Sequence, residues 1–270
     1  MVGIQLVLLS HVLTDFVFQW DNLVKLKGEK NIKGFLYHGG ILFAIQFIFL
    51  ITIYNVRSAF CFTLLIVLSH LLIDYAKESI QSQESVQSNN PIAHLFLLIG
   101  DQLLHIIVIY LIFNKLPFIE NTSLVDMIIS QFHLQVDSVS INQMLIGLIV
   151  LLYLSFGGAV FIRLIIDIIY RKVPRYMDMI AADDLQPNDP IKEVKVGKFV
   201  GILERTILFI LLSKGDFSAV GFIIAAKSLA RFKQLEKKNF AEYYLIGTFL
   251  SFLLTLIAVL LFQQLIIISI

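Results

Sequence analysis

The chain is poor in charge. Of its 270 residues only 15% are charged, against about a quarter in ordinary soluble domains, while 58% are hydrophobic. The apolar excess falls in runs of about twenty residues, the length that crosses the hydrocarbon core of a bilayer. A soluble globular domain is thereby excluded, and a polytopic membrane protein is expected. Cysteine is almost missing. Cys61 alone excludes an intramolecular disulfide and a cysteine-rich zinc site. The few charges nearly cancel, at a formal net charge of +1, and nucleic acid is not an expected partner. The N-terminal run lacks the basic region of a signal peptide and contains His11 and Asp15, so it reads as a first membrane helix rather than a leader. No repeat of fixed period is present.

The expected fold is all-α, a membrane bundle of about eight helices near 2–20, 34–55, 57–77, 91–113, 141–170, 197–213, 217–233 and 239–268. Residues 1–115 form one four-helix half and residues 141–270 another. Between them, residues 116–140 form an outer loop whose Leu124, Val125, Ile128, Ile129 and Phe132 recur at the spacing of an interfacial helix. "SKGDF" reads as a tight turn, and Asn89 or Asn90 before Pro91 as a helix start. Lys25, Lys27, Lys30 and Lys33, then Arg171, Lys172, Arg175, Lys192 and Lys195, then Lys233, Lys237 and Lys238 fall in one set of loops. The opposite loops hold only Arg57, Lys115 and Lys214. The positive-inside rule puts the basic set in the cytoplasm and both termini outside, in a bacterial cytoplasmic membrane. The stretch 78–90 and the Pro-bearing stretch 171–196 are then cytoplasmic loops.

Ionisable groups in a membrane helix cost roughly 2.5–3.5 kcal/mol each on insertion scales, so their placement is informative. The first four helices carry "HVLTD" (His11, Asp15), His38, "HLLID" (His70, Asp74) and "HLFLLIGDQLLH" (His94, Asp101, His105). A spacing of i,i+4 puts His and Asp on one helix face, and positions 94, 101 and 105 also share a stripe. Counted at about 1.5 Å per residue from the cytoplasmic helix ends, most of these groups lie roughly 5–15 Å deep. Helices running in alternate directions thus bring them to one layer. Imidazoles and carboxylates in a dry pocket suit a divalent first-row metal, zinc first, then manganese or iron. A proton or ion relay, or interhelical hydrogen bonding alone, would use the same residues.

A second polar set lies in the other half. Glu204 and Arg205 stand in "GILERT", and Lys227 and Arg231 in "AAKSLARF". Glu204 is a partner for Lys227 or Arg231 at similar depth. The two cations, with Glu204, are candidates for holding an anionic head group.

The pattern "SHVLTDFVFQ…K…HGG…SHLLIDYAKE…GDQLLH" resembles a family of bacterial membrane proteins known as domain of unknown function 3307, over roughly residues 5–112. The second half looks like the C-terminal portion of longer members. The resemblance implies no activity. A looser likeness is to bacterial membrane proteins described as metal-dependent hydrolases, which also pair His and Asp in membrane helices. On that analogy His11, Asp15, His70 and Asp74 are ligand candidates.

The expected function is a membrane-embedded metal-dependent hydrolase acting on a lipid-like or phosphorylated amphiphile near the cytoplasmic leaflet. His11, His38, His70, Asp74 and His105 would hold the metal. Asp15 or Asp101 would be the free carboxylate acting as general base. Lys227, Arg231 and Glu204 would bind the head group. Two other readings use the same sequence: an ion- or proton-coupled transporter, and a non-enzymatic membrane component whose loops 78–90 and 171–196 bind a soluble partner.

Overall fold

The computed structural model describes residues 2–82, 90–115, 138–170 and 190–269. Among these the chain is helices joined by short turns, with no strand. Helix α1 (Val2–Val12) runs on as a π-helical turn (Leu13–Val17), followed by α2 (Asp21–Gly28), α3 (Ile32–Leu50), α4 (Val56–Gln81) and α5 (Pro91–Lys115). Then come α6 (Ser138–Leu152), a second π turn (Tyr153–Gly157), α7 (Gly158–Ile169), α8 (Pro190–Ser213), α9 (Phe217–Ala230), the short α10 (Phe232–Leu235) and α11 (Lys238–Ser269).

Five helices among the described residues are long and apolar enough to cross a membrane: α3, α4, α5, the stretch Val139–Ile169 and α11. The bent pair α1 and α2 adds a sixth if it counts as one span. Large apolar side chains exposed on these helices, such as Leu72, Phe96 and Phe249, suit contact with lipid. Among the described residues the expected count of eight is not reached. Helix α9 has 14 residues, about 21 Å at 1.5 Å each, short of a core of about 30 Å. Helix α8 is long enough, but it carries Lys198, Glu204 and Arg205 within its apolar part. It also starts at Pro190, inside the expected loop 171–196, with proline at a position that needs no backbone N–H donor. The interfacial helix expected over 124–132 lies outside the described residues.

Helix starts follow their capping residues. The side chain of Asn31 accepts from Lys33 N, that of Asn55 from Ser58 N, and that of Asn90 from Ile92 N. These satisfy N–H groups that have no partner within the helix.

Contacts divide the chain into two units, residues 1–149 with 266–270, and residues 150–265. In the first unit the helices form two layers. One is apolar: Val7 of α1, Leu50 of α3, Ala59, Phe62 and Ile66 of α4, and Ile109 of α5, with Tyr54 from the α3–α4 turn. The other is polar and holds His11, His38, His70, Asp74, Asp101 and His105, all buried. The polar residues follow the apolar ones along α1 and α4 and precede them along α3 and α5, so alternating helix direction sorts the two layers.

Helix α2 was expected to be loop. The chain turns by 92° between α1 and α2, and α2 packs against α3 at very close range. A Cβ on Gly34 would lie 2.9 Å from the backbone carbon of Leu26 and 3.0 Å from Lys27 N. Only glycine permits that approach.

The second unit has its own core, Leu154, Leu208, Phe209, Leu212, Val220, Ala258 and Val259. Helices α8 and α9 meet at the expected tight turn. Gly215 takes a φ of 72° there, and Asp216 caps α9 by accepting from Ala219 N at 3.0 Å.

Gly34→Ala forces backbone rather than a flexible side chain to move. It is expected to cost on the order of 1–3 kcal/mol, read as a lower thermal unfolding midpoint in detergent. Gly40→Ala, where an added Cβ meets nothing within 4 Å, serves as the control and is expected to leave the midpoint unchanged or slightly raised.

Candidate metal centre

The near-copies "SHVLTD" and "SHLLID" build two walls of the polar layer. In each the serine folds back onto its own helix, Ser10 Oγ to Val7 O at 2.7 Å and Ser69 Oγ to Ile66 O at 2.9 Å. The histidine then points inward and the aspartate follows one turn later. The copies differ in backbone. At Asp15 the helix widens: Phe18 N bonds Leu13 O, five residues back, at 2.8 Å, and Thr14 Oγ1 covers Ser10 O at 2.8 Å. Such π turns recur at functional sites.

Four helices bring their polar groups to one place. His38 Nε2 and His70 Nε2 lie 2.9 Å apart. Asp15 Oδ1 is 3.3 Å from each of these nitrogens, and Asp74 Oδ2 is 3.2 and 3.4 Å from them. The rings of His11, His70 and His105 are neighbours, with centroids 4.2–5.3 Å apart. Three sets of metal-capable residues arise: His11, His70 and His105; Asp15, His38 and His70; Asp15, Asp101 and His105. Within each set the ligand atoms lie within 4.8 Å of one another.

Hydrogen bonds fix which lone pairs are free. His105 Nδ1 stands 2.8 Å from the carbonyl of Asp101, so it carries the proton and leaves Nε2 bare. Gln102 directs its amide nitrogen at Asp15 Oδ2 and Asp101 Oδ2, at 3.4 and 3.1 Å. Its oxygen therefore faces His11 Nε2 at 3.3 Å, which puts the proton there and leaves His11 Nδ1 bare. Both bare nitrogens are buried without a hydrogen-bond partner, and so are Asp15 Oδ1 and Asp101 Oδ1. Unpaired polar atoms of this kind are rare in folded proteins, because each costs about 1–3 kcal/mol.

Residues 4–136 match the family model of a protein of unknown function, DUF3307. Over these residues the chain is similar to that family. No curated protein and no solved structure matches the chain. The DUF3307 segment contains every residue of the polar layer, from His11 to His105, whereas Glu204, Lys227 and Arg231 lie beyond it. The likeness to metal-dependent hydrolases is not carried by this match.

Several sequence expectations change. Asp74 faces both imidazoles, but its Oδ2 accepts from Lys27 Nζ at 2.7 Å, with both side chains buried. Asp101 is not a free carboxylate: Lys77 Nζ reaches its Oδ2 at 3.0 Å, and only Oδ1 remains open. His94 is half-exposed and outside the three sets. Lys27, Lys77 and Gln102 were not expected as members. Lys77 had a signal, since it follows His70 by seven and Asp74 by three residues and so shares their stripe.

In the second unit, Glu204 Oε2 accepts from Lys227 Nζ at 2.5 Å, and Lys227 also reaches Thr248 Oγ1 at 3.3 Å. The expected Glu204–Lys227 partnership is therefore present and leaves Lys227 engaged. Arg231 does not join it and bonds Gln234 Oε1 at 2.9 Å on the exposed side. The buried guanidinium is that of Arg205, which donates to the carbonyls of Leu154 and Ser155 at 3.0 and 2.7 Å. These belong to the second π turn, whose ladder is loosened, and the arginine covers them.

Lys27→Met leaves Asp74 buried beside two imidazoles without its cation. A loss of about 3–5 kcal/mol is expected, measured by thermal unfolding in detergent. The double variant Lys27→Met/Asp74→Asn is expected to recover most of it. Equal losses in single and double variants would show that the pair is not what the site depends on.

Proposed function

We propose that the polar layer binds a divalent first-row metal ion, zinc first among them, and that the protein is a membrane-embedded metal-dependent hydrolase of a lipid-like or phosphorylated substrate. The carrying observation is the set of converging imidazole and carboxylate atoms left buried without partners. His38 Nε2, His70 Nε2 and Asp15 Oδ1 form a triangle with sides of 2.9, 3.3 and 3.3 Å. Tetrahedral bonds of 2.0–2.1 Å imply ligand-to-ligand edges of about 3.3–3.4 Å. Charge supports the same reading. Asp74 meets Lys27 and Asp101 meets Lys77, while Asp15 meets imidazoles alone, so with neutral imidazoles the layer carries one more negative than positive charge, and half-buried Glu78 lies nearby.

The bound ion would supply Lewis acidity and a water that ionises near neutral pH. The chain's own groups do the rest. Asp101 Oδ1 is an open acceptor for a proton, with Lys77 and Gln102 holding the other oxygen. Gln102 fixes the His11 ring, and Lys27 holds Asp74 against His38 and His70. A recess lined by His11, His70, His105, Leu42, Ile66 and Ser69 adjoins these groups, with room for about one water.

Protein purified in mild detergent is expected to contain metal by elemental analysis, and His70→Ala and Asp15→Ala to lose it. Metal-free wild-type protein that takes up none on dialysis would sink the reading. Release of phosphate or fatty acid from a lipid panel, lost in Asp101→Asn, tests the hydrolase part.

The second reading is a proton or ion carrier, favoured by the 2.9 Å approach of two imidazole nitrogens between two carboxylates, which suits a shared proton. The apolar layer from Val7 to Ile109 opposes a continuous path. Flux into proteoliposomes that follows pH but not metal content would favour the carrier.

A further inference from the structure

We infer that the layer is built for two adjacent divalent ions bridged by Asp15, and that a phosphate group is the ligand they take together; this rests on the metal reading above. One ion at His38, His70 and Asp15 Oδ1 leaves three buried lone-pair atoms unused. They are His11 Nδ1, His105 Nε2 and Asp101 Oδ1, none with a hydrogen-bond partner; in the two-ion form Asp101 Oδ1 is a ligand and not the proton acceptor. The tautomers of both histidines are set by neighbours outside this trio, the Asp101 carbonyl and the Gln102 oxygen, so the bare nitrogens are held in place. His11 and His105 stack with centroids 4.8 Å apart. His105 also belongs with Asp15 and Asp101 to a set whose ligand atoms lie within 4.8 Å.

Asp15 joins the two groups. Its Oδ1 faces His38 and His70 at 3.3 Å, and its Oδ2 lies 3.7 Å from His11 Nδ1. The π turn carries this carboxylate between the two histidine pairs. His11, Asp15, His38, His70, Asp101 and His105 are six ligand residues, too many for one tetrahedral shell. Shared by a bridging carboxylate, they make two partly filled shells with open positions. Paired divalent ions a few ångströms apart are the arrangement that clamps the oxygens of a phosphoryl group. A lipid phosphate and a soluble phosphoester present the same oxygens.

The test uses the full chain in detergent, stripped with chelator and titrated with Mn²⁺. Bound metal per chain and the electron paramagnetic resonance spectrum are read together. Two ions per chain with an exchange-coupled signal are expected. His105→Ala and His38→Ala are each expected to fall to one uncoupled ion while their unfolding midpoints show a folded protein. One ion per wild-type chain, or two without coupling, overturns the paired centre and leaves the single-metal reading standing; none overturns both. Inorganic phosphate and phosphatidic acid in nanodiscs are then added separately. A change in the coupled signal with either supports the phosphate assignment, and the arm that acts at lower concentration names the source. No change with either overturns it.

Discussion

A carboxylate sunk among apolar helices has to be answered by a cation, and the first unit is arranged around that requirement. Asp74 draws in Lys27, which reaches it only because the chain turns by 92° after α1 and because Gly34 lets α2 lie directly on α3. Asp101 draws Lys77 along α4. Asp15 receives no lysine. It stands instead among imidazole nitrogens, on a stretch of helix opened into a π turn. The apolar layer on the other side of the bundle keeps the groups dry and so keeps these pairings strong.

How far the sequence could be read follows from what kind of information each feature needs. The His-x-x-x-Asp spacing and the common depth are one-dimensional facts, and they led to four helices converging with His11, His38, His70 and His105 inside. Lys27 was hidden because, counted with Lys25, Lys30 and Lys33, it looks like one more loop charge. Its role appears only once a bend that hydropathy does not encode has turned α2 back. The π turn at Asp15 is similarly silent, since adding one residue to a helical turn leaves the apolar pattern almost unchanged. Asp101 looked free because its partner sits on another helix. The span count among the described residues falls below eight for a related reason. Runs such as 217–233 are apolar enough, but α9 ends at Ala230, and the apolar part of α8 carries three charged residues, Lys198, Glu204 and Arg205.

The second unit shows that buried charge by itself does not make a site. Glu204 and Lys227 close on each other, with Thr248 as an added acceptor, and Arg205 covers two carbonyls released by a π turn. Glu204 Oε1 is still buried without a hydrogen-bond partner, as are the hydroxyls of Ser213 and Ser251, but among the described residues no group of three metal-capable side chains gathers there. The first unit differs in the surplus: lone pairs on His11, His105, Asp15 and Asp101 outnumber the protons offered to them. Their convergence, rather than the mere presence of polar residues at depth, distinguishes the first unit from the second.

The first helix carries a consequence for how the protein is made. Apart from each other, the polar groups that His11 and Asp15 face come from later in the chain: His38 on α3, His70 on α4, Gln102 on α5. Released alone into lipid, α1 would present a naked carboxylate and an imidazole to acyl chains. Its polar groups are answered only with α3, α4 and α5 packed against it, so the burial of His11 and Asp15 is a collective property of the bundle and not of the helix that carries them.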